Sequence, residues 1–306
     1  MIRPNSPDGI IILGAPRSGT TLLRRLLDAH PNISCPGETY LLSSCARFIR
    51  SDRMGDGTDM GILSGLGFAG FSSKEVIDSL REYAFSFPRS VAQRKGKSRW
   101  AEKTAIDAFY IEEIEAICGQ DAYFVALLRN GLDVACSCEE LVAANGAIPL
   151  ELHEFVKRNN VPLEAYCEAW VHATGKILDF LERHPTNSMV CRYEDLVREP
   201  EATLRQVLAF VGEEWQPDLL DRALDGVGDA GLGDWKTYRS SGVLQGSIGR
   251  WRNLSKPMQA RLARIANDTL CRAGYERVPA EAGEESDSDA KRRYELGLLI
   301  QPTRDR

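Results

Sequence analysis

The sequence predicts an α/β fold, a central parallel sheet flanked by helices in three layers, because three strand-like runs each lead through a turn into a helix. In the first, Ile10 to Leu13 is a short apolar run bounded by Gly9 and Gly14. A continuous apolar run is what a strand covered on both faces requires. From Thr20, Leu22, Leu23, Leu26 and Leu27 recur at helical spacing, with Arg24, Arg25 and Asp28 between them and Pro31 as a stop. The second unit is Tyr123 to Leu128, closed by Arg129-Asn130-Gly131 and followed by a helix from Asp133 to about Ala144. The third is Ser188 to Cys191, running into Arg192-Tyr193-Glu194-Asp195-Leu196, with Pro200 opening a helix to Val211.

Other segments fill in around these units. Pro162 to Arg183 reads as a long amphipathic helix ended by His184-Pro185, and Lys256 to Ala273 as a late helix. After Pro279, the acidic run containing Glu284, Glu285, Asp287 and Asp289 suggests a linker or disordered tail. The expected division is one domain over 1–279 and a tail over 280–306. Six glycines between 51 and 73 suggest a mobile loop, with a lid near the acceptor as the functional version of that reading. Within it, Gly65 to Gly70 matches the dinucleotide spacing GxGxxG, but the strand, helix and acidic residue that motif needs are missing, so NAD binding is rejected.

Composition narrows the class. At 306 residues and 43% hydrophobic, the chain can bury one large core. No apolar run approaches the roughly 20 residues of a membrane helix, and no signal-type stretch precedes Ile10, so the expected location is cytoplasmic, without membrane. A net charge of −6 argues against a nucleic-acid partner, which basic surfaces attract. The brief clusters Arg94, Lys95, Lys97 and Lys291 to Arg293 read as solvated surface or linker. Eight scattered cysteines read as reduced thiols, and Cys136 and Cys138 point apart on a helix, as small buried hydrophobes rather than a metal pair.

The run Gly14-Ala15-Pro16-Arg17-Ser18-Gly19-Thr20-Thr21 has GxxxxG spacing between strand and helix, where backbone N–H groups and the helix dipole hold an anion. The fold is therefore P-loop-like. The residue after the second glycine is Thr20, not the lysine that reaches a nucleoside triphosphate, so ATP is poorly served. Arg17 keeps a cation in the loop, and Ser18, Thr20 and Thr21 add hydroxyls, a set suited to a compact 5′-phosphate.

Pro16 to Thr21 resembles the phosphosulfate loop of the PAPS-dependent sulfotransferases, in the PRSGTT branch that includes tyrosylprotein and bacterial members; PAPS is 3′-phosphoadenosine 5′-phosphosulfate. The resemblance implies that Arg17, Ser18, Gly19, Thr20 and Thr21 hold the 5′ end of PAPS. Arg129 and Ser137 match the family's 3′-phosphate pair, and an arginine fork does suit a phosphate. Tyr193 matches a tyrosine beside the adenine. Ser247, Gly249 and Arg250, in Ser247-Ile248-Gly249-Arg250-Trp251, match the late loop over the 3′-phosphate, with Gly233-Asp234-Trp235-Lys236 as a further part of that cap. Ordinary core packing is the competing account of Tyr193 and Trp251.

Many members carry a histidine two residues after a lysine; here that stretch is Lys103-Thr104-Ala105. The lysine remains, without the histidine. Cys35-Pro36-Gly37-Glu38-Thr39 resembles the branch that uses a glutamate after the first helix, which makes Glu38 the expected general base and Lys103 the donor to the leaving group. His30 is the rival base, although it closes the first helix. His153, His172 and His184 form no metal motif, so no metal is expected. The expected reaction is sulfuryl transfer from PAPS to an acceptor hydroxyl of a small molecule or glycan, with peptide tyrosine also open. A P-loop kinase or NTPase, and a non-catalytic nucleotide-binding module, are the alternatives. A serine hydrolase fails because neither Ser18 nor Ser247 has the glycine that GxSxG places two positions before the serine. The acceptor pocket falls in roughly 40–100 and 140–162, where no specificity code is readable.

Overall fold

The structure, a computed structural model, describes residues 7–55, 57–146, 148–225 and 245–281, with Ser288, Lys291, Arg292 and Glu295. In chain order the elements are β1 (Gly9–Leu13), α1 (Thr20–Asp28), β2 (Ile33–Ser34), α2 (Leu41–Ile49), β3 (Asp52–Arg53), β4 (Asp59–Met60), α3 (Ile62–Phe68), α4 (Ser73–Arg94), β5 (Arg99–Glu102) and α5 (Ile111–Cys118). There follow β6 (Ala122–Leu128), α6 (Gly131–Asn145), α7 (His153–Arg158), α8 (Pro162–Arg183), β7 (Ser188–Arg192), α9 (Tyr193–Arg198), α10 (Pro200–Val211), α11 (Leu219–Asp225) and α12 (Lys256–Arg272).

Five strands form one parallel sheet in the order β2-β5-β1-β6-β7. Strand periodicity turns the apolar run of β1 into the partition of the molecule. Ile11 and Leu13 enter one core with Phe124, Ala126 and Leu128, under helices that include α4, α5, α6, α8 and α12. Ile10 and Ile12 face the opposite core with Val125 and Leu127, covered by α1 and α10. Every residue of β1 is buried, and each isoleucine so covered contributes about 1.5–3 kcal/mol. The three-layer expectation therefore holds, and a charge at any of Ile10 to Ile12 would have no face on which to reach water.

Helix ends follow local chemistry. α8 occupies Pro162–Arg183, the bounds read from the sequence, with proline in its first turn, where no N–H is needed. α4 starts from a reciprocal cap, in which Ser72 accepts from the Glu75 amide and Glu75 accepts from that of Ser72. Among the described residues of the segment expected as a loop over 51–73, short strands and a helix occur. β3 and β4 pair as an antiparallel hairpin, and α3 follows with Ser64 bonded back to Gly61. Glycine content concealed this helix, because Ile62 and Leu63 hold it by packing against the first core, a tertiary gain that overrides propensity. Gly65 and Gly67 lie within α3, not in a strand-to-helix turn.

All eight cysteines are free and seven are buried. Burial pushes the Cys136 and Cys138 thiols up to about 12 and about 11. Among the described residues, no helix is long and apolar enough to cross a membrane. The expected tail over 280–306 lies outside the described residues apart from 280, 281 and the four named above.

Candidate active site

Parallel strands in one sheet end on the same side, and each of the five delivers a candidate group there. β1 runs into Gly14 to Thr21, and β2 into the segment that carries Glu38. Lys103 directly follows β5, Arg129 directly follows β6, and Tyr193 directly follows β7. Residues as distant in the chain as Gly19 and Tyr193 thus meet because the register aligns their strand ends, with Leu13 beside Ala126 and Ile11 beside Glu102.

The glycine loop has the shape of an anion cradle. Arg17 (φ 71°) and Gly19 (φ 93°) both take left-handed backbone, which a non-glycine such as Arg17 adopts only where its surroundings enforce it. Gly19 caps α1 without a side chain, and a Cβ there would stand 2.3 Å from Cδ2 of Tyr193. The amides of Thr20 and Thr21, in the first turn of α1, have no intrahelical acceptor by geometry and face outward from the positive end of the helix. Ser18, Thr20 and Thr21 are buried around them.

The second group of residues surrounds Arg129. Its two terminal nitrogens donate to the carbonyls of Arg17 and Ser247, both at 2.7 Å, and its guanidinium lies 4.4 Å from the centroid of the Tyr193 ring. Arg17 Nε donates to Ser137 Oγ at 3.2 Å, which links the glycine loop to the Arg129 and Ser137 region. Tyr193 and Ser247 share a hydroxyl–hydroxyl bond of 2.6 Å. Gly249 and Trp251 donate their amides to Asp133 at 2.7 and 3.2 Å, which fastens the late loop to the first turn of α6. Arg250 pairs with Glu140. Burial first, and then repulsion from Arg129 and Arg17, lower the Arg250 guanidinium from its ordinary value, partly offset by Cys136 and Asp133. Three guanidiniums close enough to repel one another are a charge set that a multiply charged anion suits. Arg129 Nε is also buried without a partner among the described residues, an unmet donor that a phosphate oxygen would satisfy. These features fit a 3′-phosphate. The Trp251 ring packs against the first core and under Arg252, as core packing would have it, while Gly233-Asp234-Trp235-Lys236 lies outside the described residues.

The third group contains the proton chemistry. Glu38 Oε1 accepts from Lys103 Nζ at 2.7 Å and from the Ala105 amide at 3.3 Å, and Oε2 accepts from the Tyr40 hydroxyl at 3.2 Å. Lys103 also donates to Thr21 Oγ at 3.3 Å, so one buried ammonium spans the glycine loop and the carboxylate. The carboxylate lies against residue 105, the position that carries histidine in the lysine-threonine-histidine pattern. Burial, with Glu38 and Glu151 nearby, pushes the Tyr40 phenol up to about 12, so it remains a hydrogen-bond donor at neutral pH. His30 is a helix-end residue: Nδ1 accepts from the Asn32 amide at 3.2 Å, and Nε2 therefore donates to the Glu214 carbonyl at 2.9 Å.

Several partners escaped the sequence reading. Arg24, expected on a polar helix face, is buried and donates to the Cys35 carbonyl at 2.9 Å, while Asp28 accepts from the Cys35 amide at 2.8 Å. Together they fix the start of the Glu38 segment. Glu102 was likewise not singled out, because its bond to Thr39 joins residues 63 apart in the chain. Among the described residues, no group of three or more histidine, cysteine or acidic side chains is arranged to hold a metal ion.

A glycine loop without a kinase lysine, set beside an arginine cluster and a lysine–glutamate pair, defines a group-transfer enzyme that handles an anionic donor. The family model for the sulfotransferase family matches residues 7–217, and the chain belongs to that family; it is a sulfotransferase. It is 25% identical over 221 residues to a putative protein-tyrosine sulfotransferase of Caenorhabditis briggsae, covering 69% of this chain and 68% of that protein. It is 26% identical over 303 residues to nodulation protein NoeE of Sinorhizobium fredii (strain NBRC 101917 / NGR234), covering 90% of this chain and 68% of that protein. Among solved structures, the sulfotransferase domain from the curacin biosynthetic pathway shares the fold with a TM-score of 0.57 at 22% identity, over 89% of this chain and 99% of that one.

Proposed function

We propose that the enzyme takes PAPS as donor and transfers its sulfuryl group to a hydroxyl of a small molecule or glycan, with Glu38 as general base. The observation that carries this reading is the Lys103 ammonium, 2.7 Å from Glu38 and 3.3 Å from Thr21. A base for the acceptor and a cation for the leaving group are thereby held in one place. The acceptor proton passes to the Glu38 carboxylate as the oxygen–sulfur bond forms. The bond from sulfur to the bridging oxygen breaks, and its electron pair leaves on the 5′-phosphate of 3′,5′-ADP. Lys103 and the first-turn amides of α1 receive that charge, and Arg129, Ser137, Arg17, Ser247, Gly249 and Arg250 hold the 3′-phosphate.

Further polar groups gather around Glu151, whose charge acts on Tyr40. Arg47 donates to the Tyr110 hydroxyl at 2.8 Å and pairs with Glu151, and both Arg47 and Arg50 stand over the Tyr110 ring. Such a polar cluster near Tyr40 suits a hydroxylated acceptor. The likeness to protein-tyrosine sulfotransferases supports peptide tyrosine as the second reading.

Calorimetric titration with 3′,5′-ADP, set against 5′-ADP with magnesium, tests the donor, and transfer from labelled PAPS to an acceptor panel tests the reaction. Tight binding of 3′,5′-ADP alone is expected, with Glu38→Gln lowering turnover about 100-fold or more while leaving that binding intact. Equal or reversed preference for 5′-ADP would refute the donor assignment.

A further inference from the structure

We propose that Glu102 is the positioning residue of the general base, a buried carboxylate that sets the turn on which Glu38 is carried. The inference rests on the role given to Glu38 above. Glu102 ends β5 and is 1% exposed, directly before Lys103 in the chain. Its Oε1 accepts from Thr39 Oγ at 2.7 Å and from Thr104 Oγ at 3.0 Å. Each hydroxyl has one proton, so once that proton is given to Glu102, what remains is lone pairs. Those lone pairs accept two backbone amides: Tyr40 N–H at Thr104 Oγ, 3.1 Å, and Leu41 N–H at Thr39 Oγ, 3.1 Å. One carboxylate oxygen therefore determines the direction of four hydrogen bonds.

What those bonds hold is unusual backbone. Tyr40 has φ 56°, left-handed for a bulky aromatic residue, a conformation that persists only when its surroundings over-determine it. The turn sends the Tyr40 hydroxyl back to Glu38 Oε2 while Oε1 meets Lys103 and the Ala105 amide. Glu102 thus joins the strand end that presents Lys103 to the segment that presents Glu38. Its other oxygen, Oε2, is buried without a partner among the described residues. Folding stability alone would favour an apolar side chain of similar size at Glu102, because an incompletely satisfied buried carboxylate costs more than it returns.

The test uses the full chain with Glu102→Met, which fills the space without an acceptor, and Glu102→Gln, whose amide oxygen can receive the same two hydroxyls. Amide hydrogen exchange at Tyr40 and Leu41 reads the turn without reference to turnover. Glu102→Met should speed exchange at both amides about 10-fold or more. It should lower kcat about 10- to 100-fold and leave 3′,5′-ADP affinity within about 2-fold. Glu102→Gln should restore both slow exchange and kcat to within about 3-fold of wild type. Thr39 is exposed, so Thr39→Val provides a variant that tolerates folding well: it should reproduce the loss in kcat, and Thr39→Ser should rescue it. Unchanged exchange at Tyr40 and Leu41 in Glu102→Met, or equal loss in the Met and Gln variants, would overturn the proposal. Absence of PAPS-dependent transfer in the wild type would instead refute the proposed function, while the exchange data still decide the role of Glu102 in the turn.

Discussion

Arg129 stacks on Tyr193, guanidinium to ring centroid 4.4 Å, with both terminal nitrogens bonded to carbonyls that lie 112 and 118 residues away in the chain. The fork ties three segments together: the glycine loop through Arg17, the late loop through Ser247, and the start of α9 through Tyr193. An ammonium at this position would keep the charge but lose the planar stack and the two fixed donors.

Arg129→Lys should therefore weaken 3′,5′-ADP binding about 100-fold, close to the effect of Arg129→Ala, since charge alone does not replace the fork. Calorimetry at two salt concentrations checks this. If the lysine variant binds within a few-fold of wild type, the site reads charge rather than geometry.

Asp133 accepts the Gly249 and Trp251 amides through separate oxygens. An asparagine in its place would offer one acceptor and turn an NH₂ toward the other amide, leaving it unmet. Asp133→Asn should weaken 3′,5′-ADP binding about 10-fold, through the lost hydrogen bond to the loop that carries Arg250, with little change in kcat at saturating donor. Titration calorimetry paired with saturation kinetics separates the two effects.

Burial raises the Glu102 carboxyl from an ordinary 4.5 to about 7, against the opposing hydrogen bonds of Thr39 and Thr104 and the charge of Lys103. Between those values the folded protein binds more protons at this site than the unfolded chain, so its contribution to stability falls as pH rises from about 4.5 through about 7, then levels off. Glu102→Gln has no such titration. Its stability relative to wild type should climb by about 3 kcal/mol from pH 4.5 to 8, as followed by urea unfolding at each pH. A difference that stays flat across this window would show that the carboxyl does not titrate there.

Much of this was legible in the sequence. Gly14 to Thr21 could be read because a phosphate cradle is local: strand, turn and helix start are neighbours in the chain, and the glycines and hydroxyls sit where backbone geometry demands them. Pro162–Arg183 could be read because a long helix announces itself by its period and its first proline. Helix α3 was hidden because its glycines describe local freedom, and the packing of Ile62 and Leu63 offsets that freedom only in the folded molecule. Arg24 looked like the polar side of an amphipathic helix, and only the path of the chain through Cys35 buries it.

Glu38, Lys103 and Arg129 were marked by the resemblance to the sulfotransferases; the sequence by itself determined the alternation of strands and helices, the two-sided burial of β1 and the missing kinase lysine at Thr20. These are properties of residue type and short spacing. The tertiary structure decided which groups meet: that Lys103 bridges Glu38 and Thr21, that Arg17 turns to Ser137, and that Glu102 and Asp133 hold the segments that carry Glu38 and Arg250. The physical reason is the parallel sheet, whose register brings strand ends far apart in the chain to one edge, where hydrogen bonds a few ångströms long set the geometry.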